Sequence, residues 1–222
     1  MTVTRRTNSR PSVAVLLLCC FLFAGIVPGP GPARLSAAPL LFKEQIYKLY
    51  HYQLYMTPLD IAENIGWLEM ALEAEFANPL WALTEIKTAQ EYTKYRALFM
   101  MHLNLKMIEM YLLWGSKYNK REAYFFNFAF RRQNLESLEI AEDLFRRARY
   151  YWDQAQIYSA QAAQTRWIFL DAIQNWEDES YRIQTGELDY NKIIDKHLDK
   201  LAEVRAAFEE MDTMAEQVRA NQ

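Results

Sequence analysis

From Leu40 to Phe208 apolar residues recur every three or four positions, and the breakers between these runs mark out a chain of helices. A first helix is predicted from about Leu40 to Met56, with Ile46, Leu49, Tyr50 and Leu54 on one face. Thr57-Pro58 reads as an N-cap followed by proline at the first helical position, where a missing N–H is harmless. It predicts a second helix to about Phe76, striped by Ile61, Ile65, Leu68 and Leu72. Asn78-Pro79 repeats the signal, and no breaker follows before Gly115. The third helix is therefore predicted from Pro79 to Trp114, about 36 residues and ~54 Å at the usual rise. Tyr92, Tyr95, Phe99, Leu103, Met107, Met110 and Trp114 form one stripe on it; Leu98, Met101, Leu105, Ile108 and Leu112 form a second. A helix apolar on two faces is packed on two faces, which makes this one the core of the domain.

Gly115 is placed to close the third helix, and Asn119 with Glu122 resembles a capping box opening the next. That helix, from about Lys120 to Arg132, carries Tyr124, Phe125, Phe126, Phe128 and Phe130, then Arg131 and Arg132. A turn is predicted near Asn134, then a helix through Leu138, Ala141, Leu144, Phe145 and Ala148, then another from Trp152 to Tyr181. Gly186 marks the last joint. Asp189 caps a final amphipathic helix within 187–222, bearing Ile194, Leu198, Leu201 and Phe208. Its four-three spacing suits a short coiled-coil contact, including self-association, until Arg205 and Asp212 interrupt the seam. The fold class is all-α: about seven helices packed as antiparallel hairpins in one domain, 38–222.

The N-terminus differs. Arg5, Arg6 and Arg10 precede an unbroken apolar run from Val13 to Val27, which Pro28 to Pro32 end and the small residues Ser36, Ala37 and Ala38 follow. This reads as a secretory signal peptide over 1–37, cleaved near Ala37 or Ala38, and places the mature chain in the periplasm. Fifteen apolar residues fall short of the ~20 that span a bilayer as a helix. Cys19 and Cys20 lie inside the run, so the mature chain has no thiol, disulfide or cysteine ligand. The whole chain has 25 basic and 28 acidic residues, net −3; loss of Arg5, Arg6, Arg10 and Arg34 leaves 21 against 28, net −7. That balance gives no electrostatic reason to bind nucleic acid or an anionic membrane.

Candidate chemistry is sparse. A di-iron bundle needs Glu-x-x-His pairs, and His51, His102 and His197 are each preceded at that spacing by another residue type. His197 sits between Asp195 and Asp199, but residues two apart on a helix diverge, so a solvated face is expected there. His102 is expected at the edge of the core. Glu73 with Glu75, and Glu139 with Glu142, are paired acids of an ordinary helix surface. There is no glycine-rich phosphate loop or nucleophile elbow, and no cofactor is implied. An enzyme is not expected.

Ala141, Phe145 and Ala148 have the separations of the second helix of a tetratricopeptide repeat, and Phe125, Phe128 and Ala129 suit its first helix. Residues 122–155 thus resemble a single degenerate tetratricopeptide unit, with Arg132 and Asp153 departing from the pattern. Together with export and the aromatic-rich helices, the chain resembles small exported helical proteins of the spirochaete periplasm, of the flagellar-collar type. The resemblance implies a non-catalytic protein–protein interaction scaffold in an envelope or periplasmic flagellar motor assembly. The alternative is a helical small-ligand-binding accessory of a solute-uptake system. The aromatics from Tyr124 to Phe130 exceed what one buried stripe holds, so Tyr124, Phe125, Phe126, Phe128, Phe130, Arg131 and Arg132 are the candidate partner-binding residues.

Overall fold

The computed structural model describes residues 42–119 and 130–220, with side chains as far as Glu210, all within one compact unit, Leu40–Gln222. The predicted signal peptide, Glu122 and the aromatics Tyr124, Phe125, Phe126 and Phe128 lie outside the described residues. The fold is all-α. Six helices are described rather than about seven: α1 (Lys43–Met56), α2 (Ile61–Glu73), α3 (Ala89–Tyr118), α4 (Arg131–Ala163), α5 (Gln174–Thr185) and α6 (Tyr190–Ala220). The described residues form no strand, only a single parallel bridge between Phe42 and Glu75.

The central position of α3 follows from its two apolar stripes. Tyr95, Phe99, Leu103, Met107 and Met110 are buried on one, and Leu98, Met101, Leu105 and Ile108 on the other. α4 packs antiparallel on α3: Ser137 Oγ donates to the Tyr118 carbonyl (3.0 Å), and Tyr151 stacks on Tyr111 (5.5 Å). α6 runs antiparallel along α4, where Arg131 Nε donates to the Phe208 carbonyl (2.8 Å) and Arg205 pairs with Glu142 (2.6 Å). Ile194, Leu201, Val204 and Phe208 are buried along α6, so its four-three seam is used inside the chain.

Helix boundaries differ from the sequence reading where another contact takes the capping group. Thr57 closes α1, its N–H donating to the Gln53 carbonyl (2.8 Å), and Asp60 caps α2 by accepting from the Glu63 N–H (3.2 Å). Asn78-Pro79 starts only a 3-10 turn, Pro79–Trp81. α3 begins ten residues later at a capping box, in which Thr88 Oγ1 accepts from the Glu91 N–H (3.1 Å) and the Glu91 carboxylate from the Thr88 N–H (3.1 Å). Gly115 does not end α3. It lies inside the helix against Phe145, whose ring a Cβ at this position would meet at 2.4 Å.

The predicted turn at Asn134 is absent, because one buried stripe continues through Leu138, Ala141, Phe145, Ala148, Trp152, Ala155, Ser159 and Ala162. Residues 131–163 are therefore one helix, and the turn of the tetratricopeptide pattern is missing there. The predicted Trp152–Tyr181 helix is split by the connection 164–173. Gly186, which marks the last joint in the sequence, closes α5 in a left-handed cap at φ +76°, and Asp189 accepts from the Asn191 N–H (3.0 Å) as α6 begins.

Candidate functional site

Three buried polar clusters decide how this bundle meets its surroundings. On α1, Lys43 Nζ donates to the carbonyls of Ala71 (2.8 Å) and Leu72 (2.5 Å), capping the C-terminal end of α2. Burial lowers the Lys43 pKa to about 8, against the pull of Glu75, Glu44 and Glu73. The neighbouring Glu44 carboxylate is buried but satisfied: it accepts from the Ala77 N–H (2.9 Å) and the Tyr95 hydroxyl (3.0 Å). Tyr95 in turn accepts from the Leu83 N–H (3.3 Å), and Tyr92 donates to the Ala77 carbonyl (2.8 Å). These bonds fasten the long connection 74–88 to α1 and α3. Burial, then Glu44, raises the Tyr95 phenol well above its ordinary value.

The second cluster fastens the connection 164–173. Buried Lys94 pairs with Glu177 (2.9 Å) and donates to the Ile168 carbonyl, while Glu177 accepts from the Leu170 N–H (3.0 Å). In the third, Tyr47, His102 and Glu179 form a chain: the Tyr47 hydroxyl lies 2.7 Å from His102 Nε2, and His102 Nδ1 lies 2.6 Å from Glu179. Trp176 stacks on the imidazole at 4.8 Å and on Phe99 at 5.1 Å. Burial, then Glu179, pushes the Tyr47 phenol up. The order of groups resembles a proton relay, but Tyr47 and His102 are buried among aromatic rings between α1, α3 and α5, and only Glu179 reaches solvent. Its geometry is that of a buried polar tie. Among the described residues no group of three or more His, Cys, Asp or Glu side chains could hold a metal ion.

The two fastened connections flank the first turns of α3 at one end of the bundle. Here Leu80, Trp81, Trp167 and Phe169 are between 67 and 88% exposed. Beside them a cleft of about 510 Å3 opens between Phe76, Arg96 and Gln164, and the Arg96 guanidinium lies over the Phe76 ring at 4.9 Å. This is the loop end. Sequence reading missed it because the helices predicted over Pro79–Trp114 and Trp152–Tyr181 run straight through both connections. The signal that marks it is two uncharged aromatic stretches, Pro79–Thr84 and Trp167–Leu170, each outside a regular helical pattern.

The opposite, turn end gathers the α1–α2 turn, the end of α3 and the start of α4. Tyr52, Tyr55, Met56 and Leu59 are exposed there, Tyr55 at 84%. Gln53 holds the turn by donating to Thr57 (2.5 Å) and Glu63 (2.8 Å). Leu59 borders a shallow hollow of about 230 Å3 with Trp114 and Tyr118. Among the sequence-predicted contact residues, Phe130 is exposed at the head of α4, and Arg132 is exposed beside Glu136 (3.6 Å). Arg131 is committed to the α4–α6 contact through the Phe208 carbonyl. His102 is deeper than the core edge, and His197 is half-buried, one side of its ring against Phe145 at 4.8 Å.

The class defined by this geometry is an all-α bundle of antiparallel helices with exposed aromatic ends. Residues 90–211, more than half of the chain, match the family described as "Domain of unknown function (DUF8513)", and the chain belongs to that family. The match runs from the first turn of α3 into α6, so it takes in the 164–173 connection and leaves out α1, α2 and the 74–88 connection. No curated protein and no solved structure matches the chain. No described helix is long and apolar enough to cross a membrane.

Proposed function

We propose that this protein is a non-catalytic interaction scaffold of the cell envelope, exported to the periplasm and joined to a protein partner through the turn end. The carrying observation is the convergence there of exposed Tyr52, Tyr55, Met56 and Leu59 with Phe130 and Arg132. Aromatic and arginine side chains dominate protein contacts because they bury large surface at small entropic cost. The clefts at both ends are open grooves, which favours a docking role over an enclosed carrier of small molecules. An envelope or flagellar-collar assembly, as the sequence resemblance implies, is the setting this reading supplies.

The test is capture of a partner from envelope extract by residues 38–222. The combined change Tyr55→Ser, Leu59→Ser and Arg132→Glu should lower recovery at least tenfold while leaving helicity unchanged. Arg131 is left alone because its contact belongs to the fold. Undiminished capture by that variant would remove the turn end from the proposal.

A further inference from the structure

We infer that the loop end seats on the surface of a zwitterionic lipid bilayer, with Leu80, Trp81, Trp167 and Phe169 entering its headgroup region. Tryptophan is the residue type enriched where hydrocarbon meets water, because its ring is apolar and its N–H needs a polar partner. Two of the six tryptophans of the chain stand on these connections, with Leu80 and Phe169 beside them. Pro79–Thr84 and Trp167–Leu170 contain no charge that would have to be stripped of water on insertion.

The exposure is not slack in the chain. Three ionisable side chains, the buried Glu44 and Lys94 and the half-buried Glu177, bond to the backbone of these connections and hold them in place. Elements held in this way present their apolar side chains without a further ordering cost on binding.

Two observations select the occupant. The chain enters the fold at this end, where Phe42 bridges Glu75, and fourteen residues separate Phe42 from the end of the apolar run Val13–Val27 in the sequence. Before cleavage near Ala37 or Ala38, a segment of that length, at most ~50 Å when extended, joins the apolar run to this end of the fold. The acidic net charge removes attraction to an anionic surface, which leaves apolar contact with neutral headgroups as the binding term. This inference is independent of the protein contact proposed for the turn end.

Residues 38–222 contain the whole described core and are the chain to use, since the N-terminal apolar run would bind lipid by itself. Flotation with phosphatidylcholine vesicles should carry this chain upward, and vesicles of bromine-labelled phosphatidylcholine should quench its tryptophan emission. The quenching needs no variant. Trp81→Ser, Trp167→Ser and Phe169→Ser together should lower vesicle partitioning at least tenfold, while Tyr55→Ser with Leu59→Ser leaves it unchanged. Absence of flotation and quenching overturns the inference, as does flotation that survives the triple change. A dimer that dissociates in the triple variant, without lipid binding by the parent chain, would assign the patch to a second copy instead.

Discussion

Gly66 lies on α2 with open space where a Cβ would stand, whereas the same atom at Gly115 would sit 2.4 Å from a Phe145 ring carbon. Alanine restricts the unfolded chain and favours helix, so Gly66→Ala should raise stability by about 0.5–1 kcal/mol. At Gly115 that gain is outweighed. Phe145 is fully buried and cannot withdraw, and overpacking of this kind costs about 1–3 kcal/mol. Urea unfolding of both variants should give shifts of opposite sign; stabilisation by Gly115→Ala would show that α3 and α4 are less close than described. A sequence shows Gly115 as a plausible helix end because glycine often ends helices. Only the neighbouring helix reveals that it is there for closeness. His197 makes the same point, since its ring packs against Phe145 and no spacing within α6 indicates that.

At the scale of elements, α3 shows most clearly what a pattern can and cannot give. Its double stripe was legible, and both faces are buried. Phe99 meets Trp176 of α5 at 5.1 Å and Tyr47 of α1 at 5.1 Å, so one ring serves three helices. Phe99→Ala should cost about 3–5 kcal/mol in denaturant unfolding, the usual range for an aromatic removed from a core. A loss below about 1 kcal/mol would mean that the ring is not enclosed. The start of α3 was less legible, although Thr88 and Glu91 carry the capping-box spacing. Asn78-Pro79 has an equally good start signal and uses it for one turn. The segment after it instead lays Leu83 and Ile86 against the core in non-helical form. Packing of those two side chains decides between two local signals of similar strength.

Across the whole molecule, buried phenols set the alkaline limit. Burial raises the pKa of Tyr47, Tyr50, Tyr95, Tyr151 and Tyr190 above the ordinary value of 10, Tyr50 and Tyr190 to about 12. Above pH 10 the unfolded chain therefore loses protons that the folded chain keeps. Stability from these groups is complete below pH 10 and falls as pH rises through the folded values. Lys43 has the opposite sign: with its pKa lowered to about 8, the unfolded chain holds the proton longer, and stability gains between about pH 8 and 10. Melting temperature should accordingly hold or rise slightly up to about pH 10 and then drop steeply, with tyrosinate absorbance appearing largely at unfolding. Full tyrosinate absorbance while the helical signal persists would contradict the burial of these rings.

The amino-acid sequence by itself determined the all-α class, the central α3, the closing of α5 at Gly186 and the start of α6 at Asp189. Each follows from periodicity or capping chemistry, which act over a few residues and need no partner. Tertiary structure alone decided that 131–163 is one helix, since Asn134 carries a local turn signal that the continuous buried stripe of α4 overrides. It alone drew Arg131 out of the predicted contact surface, because the Phe208 carbonyl that binds it lies 77 positions away in sequence. The loop end belongs to the same category. Trp81 and Trp167 are separated by the length of two helices, and only the antiparallel packing of α4 on α3 brings their connections to one end of the bundle.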